Sequence, residues 1–285
     1  RGLGDVYKRQ LQPLAQLITK GNGPGEMFSC ALGLHSNASD NFYLQDPNSK
    51  TCYIVDLKTL LNSRKFVPDE QFRYSSEVLP TSDLCLLDDN RYIGYHMWYL
   101  DDKQFSKVDS PLGYYQKGED SGKGMDDFPF FVASVNGARL FKNPQTQELW
   151  TADMHRDAIR IYNDSLKQIR ELVGPDHFSP EYTRRQIDAP VAFVTFADEC
   201  DYHAYTDYYI TDKHIYLVYE GNKHFDMKNL SPVEIFKLDF DGNLLCNYKL
   251  DRYVYSISIN KKEDTLYCAS RPSVMEPPVI LKYKL

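Results

Sequence analysis

Three observations in the sequence predict an all-β fold of the β-propeller class. The first is a strand pattern that ends in Asp or Asn and returns along the chain, as CYIVD at 52–56, AIRIYN at 158–163 and EIFKLD at 234–239. The second is a content of 22 Tyr and 15 Phe residues, which favours strands over helices. The third is weak helical periodicity, confined to residues 51–63. Recurring units of short strands are typical of propellers, whose sheets surround a central channel.

Five successive repeats, each interpreted as strands A to D, carry this prediction along the chain. They cover residues 30–73, 83–117, the stretch before Asn143 through 173, 205–250, and 253–283. Residues 11–20 are also predicted to form a strand, followed by a turn at 21–27. The fifth repeat ends with its strand C at 279–283, so the sequence lacks its fourth strand. About five blades are therefore expected, in a single domain over residues 11–285.

The turns between these strands have the composition of hairpin turns. Asn, Asp, Gly and Pro are concentrated at residues 87–90, 143–146, 241–243 and 260–264. Strand 214–220 is apolar on both faces, with Ile215, Leu217 and Tyr219 alternating with Tyr216 and Val218. Such a strand is expected where sheets stack on both of its sides.

The connections fall into a short set and a long set. In a propeller sheet the A–B and C–D turns lie on one rim, and the B–C and D–A connections lie on the other. The first set is predicted to be short, whereas the second set is long at 117–130, 174–189, 221–232 and 271–278. Long connections gathered on one rim of a rigid scaffold are typical of ligand binding. The alternative interpretation is that some of them are insertions that the fold tolerates.

Composition narrows the classes of partner. The net charge of −7 and pI near 5.5 argue against a nucleic-acid partner, because phosphate binding needs a basic surface. The chain contains no apolar run long enough to predict a transmembrane segment. Its six cysteines show no CxxC spacing, which argues against zinc and thioredoxin-type sites. Buried thiols are expected, with at least one disulfide as the alternative.

The first ten residues are treated separately from the fold. DVYKRQ at residues 5–10 resembles the translation of a transposon end used to build sequencing libraries. Residues 1–10 are therefore interpreted as a sequencing or assembly scar that is not native. On this interpretation the native chain starts upstream, where a signal segment or a lipid-attachment cysteine would lie.

Residues 21–27, GNGPGEM, resemble the GxGPGE turn of TolB-like six-bladed propellers from Bacteroidetes cell envelopes. Two further stretches resemble the same family, IRIY with GPD at 159–176 and the region from IYLVYEG at 215 to LYCAS at 270. The resemblance implies six blades and no established activity. It also implies an exported protein of the periplasm or cell envelope, often with a lipid anchor, which here would sit on the missing N-terminus.

This sequence departs from the family by lacking most of the first blade. A six-bladed parent truncated before Leu11 is the preferred interpretation. In the alternative, residues 11–20 pair with 279–283 and close a ring of five blades.

Six polar or aromatic residues are the candidate ligand-binding side chains: Asp153, His155, Arg156, Asp201, His203 and Tyr205. Asp153 and His155 lie two positions apart, so in an extended strand they share a face and can bind a metal or act as acid and base. Residues 201–205 precede an inner strand and are expected to project toward the central channel. The alternative for both groups is an ordinary polar cluster at a strand end.

No motif predicts catalysis, a metal site or a cofactor. GNGPGE lacks the Lys and Ser/Thr of a phosphate-binding loop, and the chain has no GxSxG. The Asp/Asn turns also lack the spacing of a calcium loop. We therefore expect a non-enzymatic exported propeller that binds a protein or glycan through its long loops, with residues such as Asp126, Asp127, Tyr182 and Phe225. The alternative is a metal-dependent hydrolase or lactonase with an axial site, which needs three or four converging ligands.

Overall fold

The chain forms two compact units. Gln12–Ala133 form the N-terminal unit, and Arg1–Leu11 with Ser134–Leu285 form the C-terminal unit. The computed structural model describes residues 18–21, 23, 26–28, 31–35, 41–46, 49, 51–66, 68–73, 83–88, 91–95, 103–109, 112–117, 137–179, 182–188, 191–196, 202–221, 230–271, 273 and 276–285.

The N-terminal unit contains a short parallel strand pair and two antiparallel four-stranded sheets. The pair consists of β1 (Thr19–Lys20) and β2 (Glu26–Met27). In each sheet, neighbours along the chain are neighbours in space. The first sheet is β3 (Ala31–His35), β4 (Asn41–Asp46), β5 (Thr51–Asp56) and β6 (Glu70–Arg73), and the second is β7 (Asp83–Asp88), β8 (Arg91–Tyr95), β9 (Lys103–Asp109) and β10 (Leu112–Lys117).

One short helix, α1 (Leu57–Ser63), connects β5 to β6. Asp56 caps its N-terminus, because the carboxylate accepts a hydrogen bond of 2.7 Å from the Thr59 amide. Arg64 ends the helix in the left-handed region, at φ 53°, and donates its amide to the Leu60 carbonyl. Leu60 is buried against Val55 and Phe66, which packs the helix onto the sheet. The helix lies within residues 51–63, the weakly helical stretch of the sequence.

The C-terminal unit contains two four-stranded sheets, one hairpin and one three-stranded sheet, all antiparallel. The strands are β11 (Ala138–Lys142), β12 (Leu149–Asp153), β13 (Ala158–Tyr162), β14 (Gln168–Val173), β15 (Tyr182–Asp188), β16 (Val191–Phe196), β17 (Tyr205–Ile210), β18 (Ile215–Tyr219), β19 (Glu234–Leu238), β20 (Leu244–Lys249), β21 (Val254–Ile259), β22 (Thr265–Ser270) and β23 (Val279–Lys284).

The predicted all-β class is thus confirmed, and the strand bounds of the five repeats agree with the sequence prediction to within about five residues. Two details were wrong. The connection predicted as a loop at 174–189 contains β15, which pairs with β16 in a hairpin. The turn predicted at 21–27 contains β2. Of the strand predicted at 11–20, Thr19–Lys20 lie in β1, and residues 11–17 lie outside the described residues.

Apolar layers between the sheets form the core of the C-terminal unit. Strand β18 supplies both layers, because its successive side chains point to opposite faces. Ile215, Leu217 and Tyr219 pack with β11–β13, whereas Tyr216 and Val218 pack with β21–β23. The alternation predicted for residues 214–220 therefore describes a strand that is buried on both faces.

The turns 143–148, 163–167, 211–214, 239–243 and 260–264 define what we call the short-turn rim of the C-terminal unit. Four of them begin with Asn or Asp, whose Oδ1 accepts hydrogen bonds from amides that follow in the turn. In three of the turns the fourth residue has a positive φ: 58° at Leu166, 89° at Gly242 and 57° at Glu263. A Cβ on Gly242 would also lie 2.5 Å from Leu172 of the preceding sheet, so close packing requires glycine there.

Candidate functional site

The opposite ends of these sheets bring most of the predicted site residues together. We call this end the long-loop rim, and its described residues are 153–157, 174–179, 202–205, 219–221, 230–233, 251–253, 271, 273 and 276–278. Asp153 ends β12, His155 and Arg156 lie in the turn to β13, His203 precedes β17 and Tyr205 begins it. Asp201 lies outside the described residues, as do Asp126, Asp127 and Phe225.

Asp153 is a buried carboxylate held between two arginines. Its side chain is 2% exposed, and its Oδ2 lies 2.9 Å from Arg156 Nη1 and 3.4 Å from Arg160 Nη2. Arg156 reaches it from the β12–β13 turn, whereas Arg160 reaches it along β13 and also pairs with Glu171 at 3.5 Å. A buried carboxylate needs such partners, because desolvation of an unpaired charge is costly. Asp153 therefore anchors the turn that carries His155.

His155 and His203 lie edge to face, with their ring centroids 5.3 Å apart. His203 Nδ1 is 3.6 Å from Glu220 Oε2, so the three side chains form a continuous polar cluster across two sheets. Burial, together with the neighbouring His203 and Arg156, lowers the pKa of His155 to about 4. His155 is therefore neutral at physiological pH.

The cluster extends to the three-stranded sheet through Glu220. The Glu220 carboxylate lies beside the Tyr253 hydroxyl, and burial together with this negative charge raises the pKa of Tyr253. The Glu220 amide donates to the Ala204 carbonyl at 2.8 Å, and the Ala204 amide donates to the Met154 carbonyl at 2.7 Å. These backbone bonds hold the turn with His155 and the segment with His203 in register.

A second polar network lies beneath this cluster and is centred on Asp157. Its Oδ2 accepts hydrogen bonds from the amides of Asp176 at 2.6 Å and His177 at 2.9 Å. Its Oδ1 accepts a hydrogen bond from the Tyr205 hydroxyl at 3.1 Å. Asp176 in turn accepts a hydrogen bond of 2.8 Å from the hydroxyl of Tyr219. Asp157 and Asp176 together join the loop after β14 to strands β17 and β18.

Two glycines allow this close approach. A Cβ on Gly174 would overlap Asp157 Oδ1 and the Tyr205 hydroxyl, so the loop can pass this close to Asp157 only because residue 174 is glycine. Gly221 has φ 80°, and a Cβ there would lie 3.1 Å from Asp176 Oδ2. The Gly174-Pro-Asp176 and Glu220-Gly221 segments are therefore parts of one locked arrangement at the long-loop rim.

Tyr205 belongs to this lower network rather than to the solvent-facing part of the cluster. It is 1% exposed and packs against Tyr219, with ring centroids 5.1 Å apart. Burial and the charge of Asp157 raise its pKa. His155, Arg156 and His203 are partly buried, and 19% of the Arg156 side chain and 17% of the His203 side chain are exposed. Their role in binding stays a prediction.

Sequence reasoning missed the partners of these residues, which are Asp157, Asp176, Tyr219 and Glu220. The signal available was the pair of segments GPD at 174–176 and YEG at 219–221, each a polar residue beside a glycine at a strand end. Among the residues that the structure describes, no group of three or more His, Cys, Asp or Glu side chains is arranged to hold a metal ion.

Comparison with known proteins shows the family of the chain and confirms the predicted propeller fold. Residues 7–262 match the family described as TolB-like 6-blade propeller-like. The chain belongs to this family. The resemblance noted in the GNGPGEM turn and in the two later stretches is thereby confirmed over most of the chain.

The solved structures that the chain is similar to are only distantly related to it in sequence. A member of the DUF4221 family from Bacteroides vulgatus is 11% identical with a TM-score of 0.56, and the match covers 95% of this chain and 80% of that chain. The extracellular domain of BT4673 from B. thetaiotaomicron is 10% identical with a TM-score of 0.46, covering 93% and 29%. The Pan2 WD40 domain of Neurospora crassa is 6% identical with a TM-score of 0.47, covering 90% and 75%. At 11% identity the likeness to the Bacteroides vulgatus structure concerns the fold alone.

No curated protein matches the sequence significantly. Within the described part of the chain, the structure has no helix with the length and apolar character that crossing a membrane requires.

Proposed function

We propose that this protein is a non-enzymatic binding scaffold of the cell envelope, which recognises a protein or glycan ligand through its long-loop rim. The observation that carries the proposal is the locked arrangement around Asp157. Three hydrogen bonds to this buried carboxylate hold the rim in one conformation, and the nearby Arg156 and His203 side chains are 19% and 17% exposed. A preorganised polar surface binds with a smaller entropy cost than a mobile one.

The chemistry of the cluster favours binding over catalysis. Asp153 is neutralised by two arginines, Asp157 is saturated with hydrogen bonds, and Tyr205 is buried. None of these three groups presents a reactive oxygen to solvent. A hydrolase with an axial metal would need such oxygens to converge on one point, and it is the weaker candidate.

The proposed location in the envelope follows from the family. TolB-like propellers of Bacteroidetes envelopes, which the sequence resembles, are exported and often lipid-anchored. Such proteins meet polysaccharides and other envelope proteins, and these are the two proposed ligand classes. Fractionation of cells that express the native gene tests this location: recovery of the protein in the envelope fraction would support it, and recovery in the cytosol would contradict it.

The binding proposal is tested by placing a photo-crosslinking amino acid at exposed positions on the two rims. His177 serves on the long-loop rim and Lys213 on the short-turn rim. The purified chain is offered to an envelope protein extract and, separately, to an array of surface glycans. We expect crosslinked species from position 177 and none from position 213, or glycan binding that an Arg156→Ala, His203→Ala double variant reduces at least tenfold.

Lys213→Ala is the matched control for the double variant, since it changes a charge on the other rim. Equal crosslinking from both rims, or binding that the double variant leaves unchanged, would contradict the proposal. An esterase and lactonase screen with added Zn²⁺ and Ca²⁺ separates the alternative: turnover that Asp153→Ala and His203→Ala abolish would replace binding by catalysis.

A further inference from the structure

Two carboxylates join the sheet β17–β20 to the sheet β21–β23, and they do so at opposite ends of the junction. Glu263 lies in the β21–β22 turn on the short-turn rim. Asp207 lies near the start of the inner strand β17, toward the long-loop rim. Each side chain belongs to one sheet and accepts hydrogen bonds from the other.

Glu263 collects four donors from the neighbouring sheet. Thr211 donates to its Oε1, while His214 Nδ1 lies 2.6 Å from Oε2. The Tyr216 hydroxyl and the Lys237 ammonium each lie 3.2 Å from the same Oε2. Glu263 has a positive φ of 57°, as does the fourth residue of two other turns on this rim.

Asp207 forms the corresponding link between the inner strands. Its Oδ2 accepts a hydrogen bond of 2.8 Å from the Ile257 amide of β21. This contact lies where both strands depart from regular pairing, between Tyr205 and Asp207 in β17 and between Val254 and Ser256 in β21. Because β21 is the edge strand of its sheet, an amide on its outer side can bond to a side chain of the other sheet.

The charged surroundings of the two groups differ. Besides its four donors, Glu263 is near Tyr248, and its own turn carries Lys261, Lys262 and Asp264. Cys246 lies beside Tyr216 and Tyr248 in the same cluster. Asp207 faces Arg139 from β11 and Cys268 from β22.

We propose that this junction is an acid-sensitive hinge. Protonation of Glu263 releases the two sheets at the short-turn rim, while Asp207 keeps them joined at the inner strands. The fold would thus carry a defined line of opening in the C-terminal unit.

The two groups respond to acid in opposite directions. Burial raises the pKa of Glu263, but hydrogen bonds from Thr211, His214 and Lys237 outweigh it, and the net pKa lies below the ordinary value of 4.5. Its contribution to stability is therefore present above pH 4.5 and is lost as the pH falls through the folded pKa. Burial raises the pKa of Asp207 to about 6. Its contribution is therefore present below pH 3.8 and is lost as the pH rises through 6.

Protonated Asp207 retains a carbonyl oxygen that accepts the Ile257 amide. Protonated Glu263, by contrast, no longer attracts Lys237 and has one oxygen that has become a donor. Acid therefore weakens one end of the junction selectively.

Amide hydrogen exchange of the full chain tests the hinge, read as protection factors so that the intrinsic pH dependence of exchange cancels. Glu263→Gln at pH 7 imitates the protonated state. The Thr211 and Asn260 amides close the two turns, and the Leu285 amide bonds to Asp264 of the second turn. We expect the protection of these three amides to fall about tenfold and that of Ile257 to stay unchanged. Wild-type protein moved from pH 7 to pH 4 is expected to show the same pattern in weaker form.

Glu234→Gln is the matched control, because within the described part of the chain the hydrogen-bond and ion-pair partners of Glu234 are Asn247 and Lys249, both on the adjacent strand. Glu234→Gln is expected to leave the protection factors of all these amides unchanged. A uniform loss of protection across β21–β23 in Glu263→Gln, or no loss, would overturn the proposal. If Glu263→Gln does not fold, Lys237→Met removes one donor and keeps the carboxylate. A smaller loss confined to the same amides then supports the hinge, and its absence counts against it.

Discussion

The two rims of the C-terminal unit are built from the same residue types in different ways. On the short-turn rim, Asn143, Asn163, Asp239 and Asn260 bond to amides within five positions of themselves. On the long-loop rim, Asp157 bonds to amides 19 and 20 positions away and to a hydroxyl 48 positions away. A local turn needs only its own residues, whereas Asp157 needs two sheets already in place.

This difference explains why the recurring Asp/Asn pattern in the sequence is structural. The strand-ending Asn163 and Asp239 orient their own turns, and their oxygens are occupied by backbone amides. Glu263 departs from this local scheme, because it sits in such a turn and reaches across to the neighbouring sheet. Long-range polar contacts therefore mark the positions where sheets are fastened together.

The largest effect is expected at the long-loop rim, from Asp157→Ala. The change leaves two backbone amides and the buried Tyr205 hydroxyl without their acceptor, and each unsatisfied group costs free energy. We expect the free energy of unfolding to fall by about 3–4 kcal/mol, measured by urea denaturation at pH 7.

Asp212→Ala is the control, since Asp212 is exposed in a turn of the short-turn rim. It is expected to change stability by less than about 0.5 kcal/mol. If Asp157→Ala and Asp212→Ala had the same free energy of unfolding, the Asp157 network would contribute nothing to the stability of the fold. The proposal that the rim is preorganised would then be contradicted.

A pH-dependent effect of intermediate size is expected from His155 on the same rim. The ordinary pKa of 6.5 falls to about 4 in the folded protein, chiefly through burial. The unfolded chain therefore takes up a proton first, and stability is lost as the pH falls from 6.5 to 4, by about 2–3 kcal/mol in total. In His155→Gln this part of the acid destabilisation is expected to disappear, as measured by urea denaturation at pH 7, 5.5 and 4.5.

His177→Asn removes an exposed imidazole from the same rim and is the comparison variant. Asparagine suits the positive φ of 54° at this position. Parallel pH profiles for wild type and His155→Gln would show that His155 is not the group that titrates.

Local contacts could be predicted from the sequence, whereas contacts between sheets could not. Strands β13 and β14 were predicted residue for residue, because apolar strands and Asn-led turns leave local signals. The hairpin β15–β16 was missed, since its strand Tyr182–Asp188 contains two arginines and resembles a polar loop. Asp153, His155 and His203, which the sequence analysis selected as candidates, lie on one rim, and their role in binding stays a prediction. The sequence could not identify Glu220 or Asp176 as their neighbours, because those contacts arise from stacking of sheets that periodicity does not encode.

The smallest effect is expected on the short-turn rim, from Asn163→Ala. The Asn163 side chain accepts hydrogen bonds of 3.1 Å from the Ser165 amide and 3.0 Å from the Lys167 amide, all in an exposed turn. Water can replace these acceptors, so we expect a loss of only about 1 kcal/mol, with no change in the exchange protection of amides in the next sheet.

Asn143→Ala makes this last measurement decisive. Asn143 orients its turn in the same way but is fully buried, and its Nδ2 also donates to the Phe240 carbonyl of the next sheet at 2.7 Å. Its loss is expected to cost about twice as much and to lower protection in both sheets. Equal effects of the two variants would mean that reach across sheets adds no stability, and the contrast between local turns and sheet-fastening contacts would fail.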